Sequence, residues 1–158
     1  MAERGDQEIQ GYLAAMYLTG KGVPKDDTQA VHWFKKAAEQ GNIEAQYYLA
    51  ILFQKGQGVP KDDPQAVYWF KKAAEQGNIK AQYYLAELYA NGQSVPKDFT
   101  QAVYWYKKAA EQGLPDAQYK LADLYLNGRG VPKDYTQALH LYKKAADQGL
   151  PDALNSIA

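Results

Sequence analysis

The chain has 158 residues, 46% of them apolar, with 18 Lys and Arg against 18 Asp and Glu and no cysteine. That length can bury a core, while the missing cysteines exclude a disulfide framework, a thiolate metal site and a cysteine nucleophile, and zero net charge removes any global attraction to nucleic acid or an anionic membrane. No run reaches the roughly eighteen apolar residues of a membrane span, and Met1-Ala2-Glu3-Arg4-Gly5-Asp6 is too polar for a signal peptide.

A period of 36 organises everything that follows. Val-Pro-Lys-Asp starts at Val23, Val59, Val95 and Val131, and residues 41–76 match 77–112 at 27 of 36 positions. In chain order, residues 1–4 align with the end of a helix whose body is missing, a remnant of a preceding B helix. Repeat 1 follows over 5–40, repeat 2 over 41–76, repeat 3 over 77–112 and repeat 4 over 113–148. Residues 149–158 open a fifth A helix. Neither end carries a polar capping repeat, so the chain is expected to be a piece of a longer array.

Each repeat reads as two helices, seen most plainly in repeat 2. Helix A carries Ala45, Leu49, Leu52 and Phe53 on one stripe, with Asn42 as its N-cap. Asn78 serves the third copy, and Pro115 starts the fourth. Helix A stops at Gly56, and Pro60 forces Val59 into extended backbone, from which it is expected to plug the helix pair. Helix B begins at a capping Asp62 with Gln65 three residues on, a pair repeated at Asp26/Gln29, Asp98/Gln101 and Asp134/Gln137. Its apolar stripe is Ala66, Trp69, Phe70, Ala73 and Ala74, and it ends at Gly77, equivalent to Gly41, Gly113 and Gly149. Such short one-sided helices are marginal alone, so stacking must bury them.

This pattern, with the recurring tail Lys-Lys-Ala-Ala-(Glu/Asp)-Gln-Gly, strongly resembles the SEL-one-like repeat family, relatives of tetratricopeptide repeats. The resemblance spans essentially the whole chain. It implies an all-α, right-handed α-solenoid of helix-turn-helix hairpins whose A helices line a concave groove used for protein–protein interaction and scaffolding. It therefore implies a protein or peptide partner; together with the charge balance, the short apolar runs and the scarcity of nucleophiles and metal ligands, the chain is expected to bind no nucleic acid, cofactor or metal, to insert in no membrane, to catalyse no reaction and to be monomeric. Departures from the family pattern are Ala14, Ala50, Ala86 and Ala122 where a glycine is usual, Ser94 in place of the second loop glycine, and the absence of the disulfide staples of some bacterial relatives.

Candidate chemistry is sparse. Ser94-Val95-Pro96-Lys97 formally matches Ser-x-x-Lys, the signature of penicillin-recognising enzymes, and disulfide-bearing relatives suggest small-ligand binding or β-lactam-type hydrolysis as an alternative. That chemistry wants the serine at a helix start with the lysine one turn on, whereas this stretch is a proline-containing loop whose lysine recurs at Lys25, Lys61 and Lys133. His32 and His140 occupy one repeat position three units apart, too far for a shared metal. Paired Asp26-Asp27 and Asp62-Asp63 cap helices. RNA binding is a second alternative, from four Lys-Lys pairs beside aromatics such as Trp33-Phe34 and Trp105-Tyr106, but the rings fall on the buried stripe and Glu39, Glu75 and Glu111 offset the lysines.

The four copies can be compared with one another. Positions that vary on the exposed side of helix A are Glu44/Lys80/Asp116, Ala15/Ile51/Glu87/Asp123, Leu18/Gln54/Ala90/Leu126 and Lys55/Asn91/Asn127, close to one stripe. Tyr47, Tyr83 and Tyr119 lie among them, with Gly11 in the first copy. The partner-binding groove is therefore expected at Glu44, Tyr47, Ile51, Gln54, Lys80, Tyr83, Glu87, Asn91, Asp116, Tyr119, Asp123 and Asn127. The tyrosines suit either an interface or packing between helices. The column Tyr12/Tyr48/Tyr84/Lys120 and the variable Phe99 and Tyr135 offer a second face.

Overall fold

The computed structural model describes residues 2–157, with side chains from 6 to 156. Among the described residues there are nine helices and no strand: α1 (Ala2–Thr19), α2 (Asp27–Glu39), α3 (Ile43–Lys55), α4 (Asp63–Glu75), α5 (Ile79–Asn91), α6 (Phe99–Glu111), α7 (Pro115–Asn127), α8 (Tyr135–Asp147) and α9 (Pro151–Ile157). They form two compact units, residues 1–81 and 82–158. In the first, α1 packs on α2, α2 on α3 and α3 on α4; in the second, α6 packs on α7, α7 on α8 and α8 on α9.

The helix boundaries follow from capping chemistry. Oδ1 of Asp26, Asp62, Asp98 and Asp134 each accepts from a backbone N–H in the following turn, at 3.0 Å. The same four residues donate their own N–H to the carbonyls of Tyr17, Phe53, Tyr89 and Tyr125, also at 3.0 Å. Each capping aspartate thus starts helix B and fastens the loop to the end of helix A. Asn42 and Asn78 cap α3 and α5 through Ala45 N and Ala81 N at 2.8 Å.

Small residues let the helices approach. Ala14, Ala50, Ala86 and Ala122, together with Ala30, Ala66, Ala102 and Ala138, are buried, so the methyl at the usual glycine position is taken up inside the packed hairpin. Phe34, Phe70, Tyr106 and Tyr142 are large buried rings at one shared position of the B helices. Glutamines tie the two helices of each hairpin together. Nε2 of Gln40, Gln76, Gln112 and Gln148 donates to Oε1 of Gln10, Gln46, Gln82 and Gln118 at 2.7–2.8 Å, every bond spanning 30 residues.

Residues 2–4, which align in the sequence with the end of a B helix, lie in α1, a helix that runs unbroken from Ala2 to Thr19; Met1 lies outside the described residues. Ala2, Glu3 and Arg4 are good helix formers, and one interior glycine costs only about 1 kcal/mol relative to alanine. Val23, Val59, Val95 and Val131 are half-buried.

Candidate functional site

The A helices carry the candidate face, and each unit presents its own stretch. In the first, Glu44 is exposed and accepts from Asn78 Nδ2 at 3.0 Å. Tyr47 is 6% exposed, its ring 6.1 Å from that of Phe70 and with Lys80 Nζ 6.0 Å above it. Ile51 and Gln54 are half-buried and Lys80 is exposed. Tyr47 is therefore a packing residue, and the accessible chemistry of this stretch belongs to Glu44 and Lys80.

In the second unit Tyr83 and Tyr119 are half-buried, against Tyr106 at 5.7 Å and Tyr142 at 5.5 Å. Burial, followed by the nearby Glu87 and Asp116 carboxylates, pushes the Tyr83 phenol up to about 12. Glu87 and Asp123, read from the sequence as free to vary, are occupied: Glu87 Oε1 accepts from the Tyr106 hydroxyl and Asp123 Oδ1 from the Tyr142 hydroxyl. Lys120 Nζ adds an ion pair to Glu87 at 3.9 Å. Burial and then these hydrogen bonds raise the phenols of Tyr106 and Tyr142 as well. Asn91, Asp116 and Asn127 are exposed.

The signal for those buried pairs was present in the repeats. Ala15 faces Phe34 in the alignment and Ile51 faces Phe70, whereas Glu87 goes with Tyr106 and Asp123 with Tyr142. Two columns change together because a phenol in the hairpin needs an acceptor and a phenyl needs a hydrocarbon. Transplanting the polar pair tests this. Phe70→Tyr and Ile51→Glu are each expected to destabilise, and the double variant to cost about 1–2 kcal/mol less than their sum, measured by urea unfolding. Strict additivity would show that the two positions do not interact.

The alternatives from the sequence meet specific geometry. Ser94 lies in an interhelical loop at φ +62°, and Lys97 Nζ stands 5.0 Å over the Phe99 ring, so Ser-x-x-Lys is not arranged as a nucleophile and base on one helical turn. Trp69 and Trp105 are buried, and Lys72 and Lys108 lie over the Tyr68 and Tyr104 rings. Among the described residues no three His, Asp or Glu gather as a metal set, and no helix is long and apolar enough to cross a membrane.

The Sel1 repeat profile matches residues 10–42, 43–78, 79–114 and 115–150. Two solved structures align over 99% of the chain with a TM-score of 0.91. One is a protective antigen of uropathogenic Escherichia coli displaying an SLR fold, 42% identical, of which the chain covers 33%. The other is a Sel1 repeat protein of Oxalobacter formigenes, 40% identical, of which it covers 45%. Cysteine-rich protein B of Helicobacter pylori aligns over 86% of the chain at 26% identity and a TM-score of 0.64. No match is found among curated proteins. The chain thus spans less than half the length of the first two, and its all-α helical-repeat fold is the one its 36-residue period predicts.

Proposed function

Because the chain belongs to the Sel1 repeat family, whose members are generally protein-interaction scaffolds, we propose that it is a non-enzymatic interaction module whose A-helix faces receive a protein or peptide. One observation carries the reading: packing positions repeat from copy to copy, while exposed neighbours on the same helices differ in charge, as at Glu44, Lys80 and Asp116. A surface kept only for solubility has no need to place opposite charges at one repeat position, whereas a partner-specific surface does. Half-buried Tyr83 and Tyr119 add amphipathic edges between the charges.

Charge reversal tests the assignment. Lys80→Glu and Asp116→Lys, made separately, are each expected to weaken capture of a native partner about tenfold, while Lys71→Glu, on the exposed side of α4, leaves it unchanged. If both reversals hold every partner as firmly as the parent chain, the A-helix faces are not the binding surface.

A further inference from the structure

In repeats 2, 3 and 4 a tyrosine of helix A packs on the aromatic ring of its own helix B, as Tyr47 on Phe70, Tyr83 on Tyr106 and Tyr119 on Tyr142. The first repeat has Gly11 at that position. The side chain it lacks leaves a cleft of about 380 Å³ beside Phe34, lined also by Tyr12, Tyr48, Glu8 and Glu44. These are the surroundings of Tyr47 moved back by one period. Phe34 stands for Phe70, Tyr12 for Tyr48 and Glu44 for Lys80, and the Tyr47 ring meets Phe70, Tyr48 and Lys80. Gly11 lies within α1, and a Cβ built on it would come no closer than 3.8 Å to its surroundings. The cleft therefore has room for a flat group of about the size of a phenol ring.

Its charge differs from that of its sister sites. Tyr47 sits between Glu44 and Lys80, of opposite sign, whereas Gly11 sits between Glu8 and Glu44, two exposed carboxylates, and no cationic residue lines the cleft. Asn78 holds Glu44 in place at 3.0 Å, and the Tyr48 ring is stacked on Phe34 at 5.4 Å and 22°. A group that is flat, has a face for aromatic rings and carries a positive charge with N–H donors meets all of these demands, and that group is a guanidinium. A lysine supplies the charge but not the plane; a tyrosine supplies the plane but not the charge.

The geometry points to a socket between the first hairpin and α3 that takes an arginine side chain of the partner segment, stacked against Tyr12 and Tyr48 and paired with Glu8 and Glu44. It rests on the interaction reading above and names the partner's chemistry at one place. The test is an amide NMR titration of the 158-residue chain with acetyl-Gly-Arg-Gly-amide, beside the lysine and tyrosine tripeptides. The arginine tripeptide is expected to shift the Gly11, Tyr12, Phe34 and Glu44 resonances saturably, with a millimolar Kd that weakens at high salt. Glu8→Gln is expected to weaken it about three- to fivefold.

Gly11→Tyr is expected to abolish the titration while raising the melting temperature, since it fills the cleft and replaces a helix-interior glycine. Undiminished arginine binding by Gly11→Tyr overturns the proposal, as does binding of the lysine or tyrosine tripeptide at least as tightly as arginine. The tripeptide needs no native partner and Lys80→Glu leaves the cleft lining intact, so this test and the capture experiment fail separately.

Discussion

Phe70→Ala is expected to lower the stability of the protein by about 3–5 kcal/mol, the range for removing a large buried ring without collapse of the space it leaves. Phe70 is completely buried in α4, with the Tyr47 ring beside it and Ala66, Ala73 and Ala74 buried on the same helix. Alanines have no side-chain freedom with which to move into the gap, so the cavity term applies almost in full. The loss also spreads along the chain, because a helical repeat contacts only its neighbours and a weakened hairpin withdraws support from both. Urea unfolding followed by circular dichroism measures the effect. Phe70→Leu, which keeps most of the volume, is the control, and a loss below about 1.5 kcal/mol for Phe70→Ala would show that the hairpin repacks freely.

The second large effect is expected at a loop. Gly58 has φ +71°, and a Cβ built there would lie 2.2 Å from the carbonyl oxygen of Asp27 at the start of α2. Gly130 is placed in the same way, 2.4 Å from the Phe99 backbone at the start of α6. Gly58→Ala combines left-handed strain of about 1–2 kcal/mol with displacement of a backbone that is itself capped and packed, for a total near 3 kcal/mol. Repeat 3 already carries Ser94 at this position, at φ +62°, so the variant is expected to fold but to melt earlier. The reciprocal change, Ser94→Gly, is expected to gain about 1 kcal/mol by relieving the same strain. Thermal unfolding of both variants checks the pair, and a neutral Gly58→Ala would mean that the loop yields at no cost.

Local chemistry explains which parts of the molecule were legible in the sequence. Caps such as Asp62 and Asn42, the stripe from Ala66 to Ala74 and the glycine stops depend on residues within a few positions of one another, so periodicity exposes them. Tyr47 is different: it looks like an interface residue along its own helix, and only Phe70, 23 positions away, turns it into a packing residue. Glu87 and Asp123 were misread as free for the same reason, although their exchange in step with Tyr106 and Tyr142 was visible once the copies were set side by side. The glutamines went unremarked because an invariant polar residue on a helix looks like ordinary surface until its partner 30 residues away is known. Gly11 was noted as the odd member of its column, but a missing side chain becomes a cleft only when the walls around it are in place.

The glutamine bonds carry one more consequence, for how such a chain changes length. Each joins a residue to one 30 positions earlier, in constant phase with the 36-residue period. Excising residues 77–112 removes Gln82 and Gln112 together and leaves Gln46 with Gln76 and Gln118 with Gln148, so no amide loses its mate. Loss or gain of one whole unit therefore preserves this set of bonds, while an insertion or deletion between the two members of a pair shifts them out of register. Each hairpin thus carries its own clasp, so the array can grow or shrink in whole repeats without parting any pair, whereas a change of length inside a hairpin strains the clasp that closes it.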